Sequence, residues 1–461
     1  MPVADPWPAS PWPDIIEIAR EAALLASSGS WPREELVRLT GDARLGDPAT
    51  VMVVAGQQPA VGVGPLYTLI KAAQAITLAS QLTAAGTPAV PVFWCASEDH
   101  DLGEAGHADF ILRSGEQRRF QHALGGGKAS LRFRRASAWW DGLLAHADQH
   151  LGPGIGRDWW LAHAPTADEG MGAWTCRMLA ALFAGSGLVC IESHRLRPLW
   201  SSTVATALAR WPAAELAERR ATLLAGGAND AFGELADPPL FADRAEGRMA
   251  LDRAAAQQLL ADDPASLSPG AALRPVLQQA ALPCALFIAG PGEMAYHRYI
   301  APLYAALGVA RPRLVPRCSM TLVQSWVKRG FFRWGCSPGQ SPVPHAVPEG
   351  DRDHLAALDA AIAGLHAYDE DTQRRLSGGA RRLHREVDRL RASLARGRRH
   401  AAELPAWGAL QEQLRPGGRP QDRVLSSFQA VWELGPRAAV GPLLGTAMTS
   451  APGKHRFVEF E

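Results

Sequence analysis

The densest run of ionisable side chains is Ser97-Glu98-Asp99-His100-Asp101, with His107 seven residues beyond His100. Carboxylates beside imidazoles shift one another's pKa values toward a range useful for proton transfer. His100 is the expected base because its unperturbed pKa lies near neutrality; Glu98 is the second candidate, and Asp101 completes the catalytic set. Glu98, His100 and His107 are also metal-ligand types. No helical i, i+4 pair frames them, so no metal is expected. A helix cap would use one of these acids and leave the others unexplained.

Two glycine-punctuated turns follow apolar strands. In the first, Gly56, Gln57 and Gln58 lead through Gly62 and Gly64 to Pro65 and a helix start, where bare amides favour a phosphate or carboxylate; Tyr67 and Lys71 follow one and two turns on. The absence of Gly-Lys-Ser/Thr excludes a Walker loop, and a tight turn needing glycine torsions explains the same spacing. The second, Gly290-Pro-Gly292-Glu293-Met-Ala295, fits the Gly-x-Gly-x-x-Ala dinucleotide pattern. Its following strand ends in Arg317, where an NAD ribose wants an acid. A nucleotide-dependent oxidoreductase is therefore the weaker alternative, while Glu293 and Tyr296 suit an amine or hydroxylated substrate. Arg317 with Ser319 and Thr321 suits phosphate, with helix capping by either hydroxyl as the competing explanation.

The elements that position these residues read as α/β. Apolar runs at 51–55 and 89–94 flank a helix opened by Pro65, which is a parallel β-α-β crossover. The alternation returns at 188–192, 283–289 and 313–317, with a helix expected over 293–307. Residues 1–48 read as an N-terminal helical segment and 49–345 as the core. Within the core, 103–165 is an excursion of short strands such as 129–134, and about 195–265 is a helical insertion. From 351 to 415 the texture changes. Leu355, Leu358, Ile362 and Leu365, then Leu376, Ala380, Leu383, Val387, Leu390 and Leu394, form heptad seams joined by a turn at Tyr368-Asp-Glu-Asp371. That predicts an antiparallel helical coiled coil, paired within the chain or across a dimer. Residues 416–461 return to the core through a helix from about 421 and a strand at 456–460.

Composition sets the outer bounds. The 461 residues carry 47 Lys+Arg against 46 Asp+Glu, a net charge of +1 that gives no field for collecting nucleic acid. Residues 374–400 hold ten arginines against Glu386 and Asp388, which reads as the solvated face of the coiled coil. The six cysteines form no Cys-x-x-Cys pair, the start lacks a signal-peptide pattern, and the long uncharged stretches are broken by Gly and Pro. The expectation is a cytoplasmic protein that does not enter a membrane.

Several long motifs occur together: Gly56-Gln-Gln…Gly64-Pro-Leu-Tyr-Thr-x-x-Lys71, Pro91-Val-Phe-Trp94-x-Ala-Ser-Glu-Asp-His-Asp101 with His107, Leu267-Ser-Pro…Leu273-Arg-Pro275, Gly290-Pro-Gly-Glu-x-Ala-Tyr296 and Gln421-Asp-Arg-Val-Leu425. In this order they resemble the cysteine-adding enzymes of bacillithiol biosynthesis. The resemblance implies a Rossmann-like parallel-sheet core similar to class I aminoacyl-tRNA synthetases, with inserted connecting segments and a coiled coil that forms a homodimer. It also implies a ligase that joins L-cysteine to glucosaminyl malate, with ATP as the simplest source of activation. Under it, Gln57, Gln58, Tyr67, Lys71, Asp99, His107, Glu293 and Tyr296 bind substrate, and Gly56, Gly64, Gly290, Gly292, Arg317 and Ser319 bind nucleotide or another anion. A non-catalytic dimeric scaffold is the remaining alternative.

Overall fold

Val51, Val53 and Ala55 pack on one side of a sheet and Met52 and Val54 on the other, and all five are fully buried. A strand apolar on both faces belongs in a sheet covered on both sides. The computed structural model describes residues 15–28, 31–123, 127–334, 336–340, 351–366, 369–402, 407–449 and 455–459. Its strands are β1 (Val51–Gln57), β2 (Ala89–Cys95), β3 (His107–Ile111), β4 (Gln117–Gln121), β5 (Val189–Glu192), β6 (Leu240–Arg244), β7 (Gly247–Ala250), β8 (Leu267–Pro269), β9 (Cys284–Ala289), β10 (Arg313–Pro316), β11 (Ser319–Val323) and β12 (His455–Glu459).

Five strands make an all-parallel sheet in the order β10-β9-β1-β2-β5. The first strand is central, and the chain adds two strands on one side before crossing to the other. This is the doubly wound order whose switch point lies between β1 and β9, where such sheets place ligands at the carboxyl ends of the strands. Helix Tyr67–Ala84 carries the chain from β1 to β2 on one face, and helix Arg274–Ala281 leads into β9 on the other.

Several boundaries differ from the sequence reading. Residues 131–133 form a 3-10 turn instead of a strand, and the excursion contains one antiparallel hairpin, β3–β4, with helices around it. The insertion near 195–265 is not all helical, because β6 pairs with both β7 and β8. The expected 293–307 helix is two, Pro291–Tyr299 and Ala301–Ala306, split at Ile300 just before Pro302. The helix from 421 is a 3-10 turn followed by helices Ser427–Leu434 and Pro436–Thr449, broken at Gly435 with φ +78°. β12 pairs in parallel with β11; Phe460 lies outside the described residues.

Helices Asp351–Ala363 and Glu370–Ala402 form the C-terminal arm, with Ile362 and Val387 buried and Asp359 paired to His384 and Arg391. Leu358, Leu365, Leu383 and Leu390 remain 46–52% exposed, so the seam read from the sequence is only partly covered within the chain. Tyr368 of the proposed turn lies outside the described residues. Among the described residues no helix is long and apolar enough to cross a membrane.

Candidate active site

A cavity of about 870 Å³ opens at the carboxyl ends of β1, β2, β9 and β10, spanning the switch point. The close of β1 shapes it. A Cβ on Gly56 would lie 3.3 Å from the Trp94 carbonyl oxygen on β2, so the strand ends meet tightly there. Beyond Gln57 the chain turns through Gly62, Val63 and Gly64 with φ of +62°, +68° and +80°. A β-branched residue in the left-handed region is strained, and here packing holds it. Val61 to Val63 are fully buried, the Ser427 N–H donates to the Gly64 carbonyl at 2.8 Å, and the Leu66 N–H donates to the Leu425 carbonyl at 2.7 Å.

Only the first part of this turn faces the cavity: Gly56, Gln57 and Gln58 line it, whereas Gly64 is buried beneath the 425–428 segment. The expected amide cradle for an anion at 56–64 is therefore corrected. Lys71, expected to bind substrate, lines the cavity but is already engaged within the protein. Its ammonium, 2% exposed, donates to the Gly56 carbonyl at 2.8 Å, to Glu293 at 2.6 Å and to Gln57 Oε1 at 3.4 Å, which uses its three donors inside the protein. Burial pushes Lys71 below its usual pKa, and the Glu293 carboxylate opposes that shift.

Glu293 also accepts the Gly290 N–H at 2.5 Å, closing the start of helix Pro291–Tyr299. Gly290 and Gly292 line the cavity, but the Gly290 amide is already spoken for and the turn follows β9. A dinucleotide fingerprint belongs on the first β-α turn of such a sheet with its amides free, so the oxidoreductase reading is disfavoured.

A hydrogen-bonded chain crosses the cavity floor from Glu293 through Lys71 and Gln57. Gln57 Nε2 donates to the Tyr67 hydroxyl at 3.0 Å, and Tyr67 donates to Glu104 Oε1 at 3.2 Å. The Arg317 guanidinium stands 5.0 Å over the Tyr67 ring and donates to Asp422 at 2.6 Å. Arg274 pairs with Asp99 at 3.2 Å, and Tyr296 lines the cavity against Phe232 and His297.

The predicted proton-transfer cluster comes apart. Of residues 97–101 only Asp99 lines the cavity. Glu98 is fully buried against Arg197, which also binds Asp243 at 2.6 Å. Burial pushes the Glu98 carboxyl up, but the charges of Arg197 and Arg274 outweigh it and hold it below the usual range. Its catalytic assignment is corrected to a structural one. The His100 ring turns to Arg248 at 3.3 Å, and burial followed by that charge lowers its pKa; it does not line the cavity. Asp101 caps helix Leu102–Ala105 by accepting the Glu104 N–H, and His107 Nδ1 lies 2.8 Å from the Gly103 carbonyl. Glu98, His100 and His107 thus engage different partners. Ser319 is buried against His455 at 2.9 Å, away from any anion subsite.

The structure adds residues that the sequence reading did not assign. Glu104, Asp230, Arg274, Arg419 and Arg423 all line the cavity. Arg274 and Arg423 sit inside the quoted Leu273-Arg-Pro275 and Gln421-Asp-Arg-Val-Leu425 runs, a signal that could have flagged them. Asp230 and Arg419 carry no local pattern.

The profile described as "Bacillithiol biosynthesis BshC, N-terminal Rossmann-like domain" matches residues 40–227 and 240–318, more than half of the chain. The chain belongs to the BshC family. Its relatives include proteins named "Putative cysteine ligase BshC" from Geobacillus thermodenitrificans, 26% identical over 84% of this chain and 81% of the relative, and from Solibacter usitatus, 28% identical over 77% and 74%. A third, from Koribacter versatilis, is 33% identical over 60% of this chain and 56% of its own length. Both segments matched to the BshC profile contain cavity-lining residues, Gly56 to Asp99 in the first and Arg274 to Arg317 in the second.

Proposed function

We propose that this BshC-family chain is a ligase that joins the carboxyl of L-cysteine to the amine of glucosaminyl malate, completing bacillithiol, with ATP supplying the activation. The observation that carries the reading is the polarity of the cavity. Glu104, with Asp99 and Asp230 held by Arg274 and Arg220, lines it with carboxylates that suit an amine, and Arg317, Arg419 and Arg423 line it with guanidiniums that suit the malyl carboxylates or phosphate. Arg317, Arg419 and Arg423 would hold ATP by its phosphates, and ATP supplies a leaving group for the cysteine carboxyl. Holding amine and activated carboxyl together is worth about 7 to 11 kcal/mol of barrier at best.

The same reading takes the core as similar to class I aminoacyl-tRNA synthetases, the arm as a coiled coil pairing two chains, and the cytoplasm as the compartment. The half-exposed arm leucines support the pairing, and six free cysteines support a reducing compartment. Purified protein given cysteine, glucosaminyl malate and ATP is expected to form the amide, read as conjugate mass. Absence of that mass with folded protein and all three components present would overturn the reading.

A further inference from the structure

We propose that Glu104 is the group that takes the proton from the attacking amine. The inference rests on the ligase reading of the cavity and names a residue in it that the motifs do not single out. Glu104 lines the cavity on the short helix after β2, fixed by the Asp101 cap on its own N–H at 3.1 Å and by the Tyr67 hydroxyl on Oε1. The Tyr67 bond takes Oε1 only, and the side chain is exposed where it lines the cavity, within reach of a ligand.

The other candidates are committed elsewhere. Glu98 is locked to Arg197, His100 faces Arg248, Asp99 is paired with Arg274, Asp230 with Arg220, and Glu293 with Lys71. Burial raises the Glu104 carboxyl above its usual pKa. The Tyr67 hydrogen bond and the Lys71 charge oppose that shift, while Asp101 and Asp99 add to it. A carboxylate with a raised pKa is a better proton acceptor.

The step balances as follows. The amine nitrogen attacks the cysteinyl carbonyl carbon, which carries a phosphate-type leaving group from the nucleotide. The C–N bond forms, the C–O bond to phosphate breaks with its electron pair leaving on phosphate, and the amine proton passes to Glu104 Oε2 and then to water.

Glu104→Gln keeps the volume and the Tyr67 contact but cannot accept a proton. Conjugate formation should fall about 100-fold or more in kcat, with KM for the amine little changed. The acid limb of the pH profile should also disappear. Tyr67→Phe removes a donor that stabilises the ionised carboxylate, so the acid limb should move to higher pH. If wild type makes no conjugate, the ligase reading fails. If wild type turns over and Glu104→Gln matches it, only the Glu104 assignment fails. Should Glu104→Gln not fold, the Tyr67→Phe profile decides, and an unmoved limb overturns the proposal.

Discussion

Arg197 shows how chemistry-bearing residues become structural. It is fully buried, holds Glu98 and Asp243, and donates to the Ala265 carbonyl at 2.6 Å, so it ties the segment after β2 to the β6–β8 sheet. Removing one member of a buried charge set strands the others without compensation. Arg197→Met is expected to cost about 3 to 5 kcal/mol, read as a lower urea midpoint at unchanged slope. Glu98→Gln should likewise lower stability while the folded fraction keeps its turnover. The sequence showed four ionisable residues in a row but not where each side chain would turn. Asp99 reaches the cavity while Glu98 and His100 find Arg197 and Arg248, respectively about 100 and 150 residues away in sequence. Those partners depend on long-range packing, which local spacing does not encode.

At the scale of elements, the strands were legible because β1, β2 and β9 are apolar runs bounded by glycine or proline, and their parallel pairing follows from the intervening helices. The β6–β7 hairpin was missed because β7, Gly-Arg-Met-Ala, alternates too weakly to announce a strand, and its pairing with β6 sets it. In the arm, the heptads were legible but the way they are covered was not: Ile362 and Val387 are buried, while Leu383 and Leu390 stay about half exposed. If a second copy covers those leucines, each contributes about 1 kcal/mol of burial per chain. Leu383→Asp with Leu390→Asp should then convert a dimer to monomers by sedimentation, with helical content and turnover per chain preserved. Retention of the dimer would assign the pairing to another surface.

For the whole molecule, the near-zero net charge hides charges that folding buries unevenly. Burial raises the Glu192 carboxyl to about 7, with Arg195 and Arg132 opposing, and it lies beside His194 and against Gly172 at the start of helix Met171–Leu182. Between the usual carboxyl pKa of 4.5 and about 7 the folded chain holds a proton that the unfolded chain releases. Glu192 therefore favours folding below that window and loses this contribution as pH rises through it. Glu192→Gln should gain stability relative to wild type at pH 8 and show little difference at pH 4, measured by urea denaturation at both. An equal difference at the two pH values would remove Glu192 as the source.

The floor of the cavity carries one more consequence. From the Lys71 ammonium to Gln57, from Gln57 to Tyr67, and from Tyr67 to Glu104, every hydrogen is donated in the same direction. Side chains from three separate parts of the chain thus form a one-way dipole, with its positive end at the Lys71 ammonium and its negative end at the Glu104 carboxylate. Protonating Glu104 would weaken the acceptor at that end, so the two ends of the floor are coupled. Replacements at Lys71 and Glu104 should therefore be non-additive even though neither side chain touches the other.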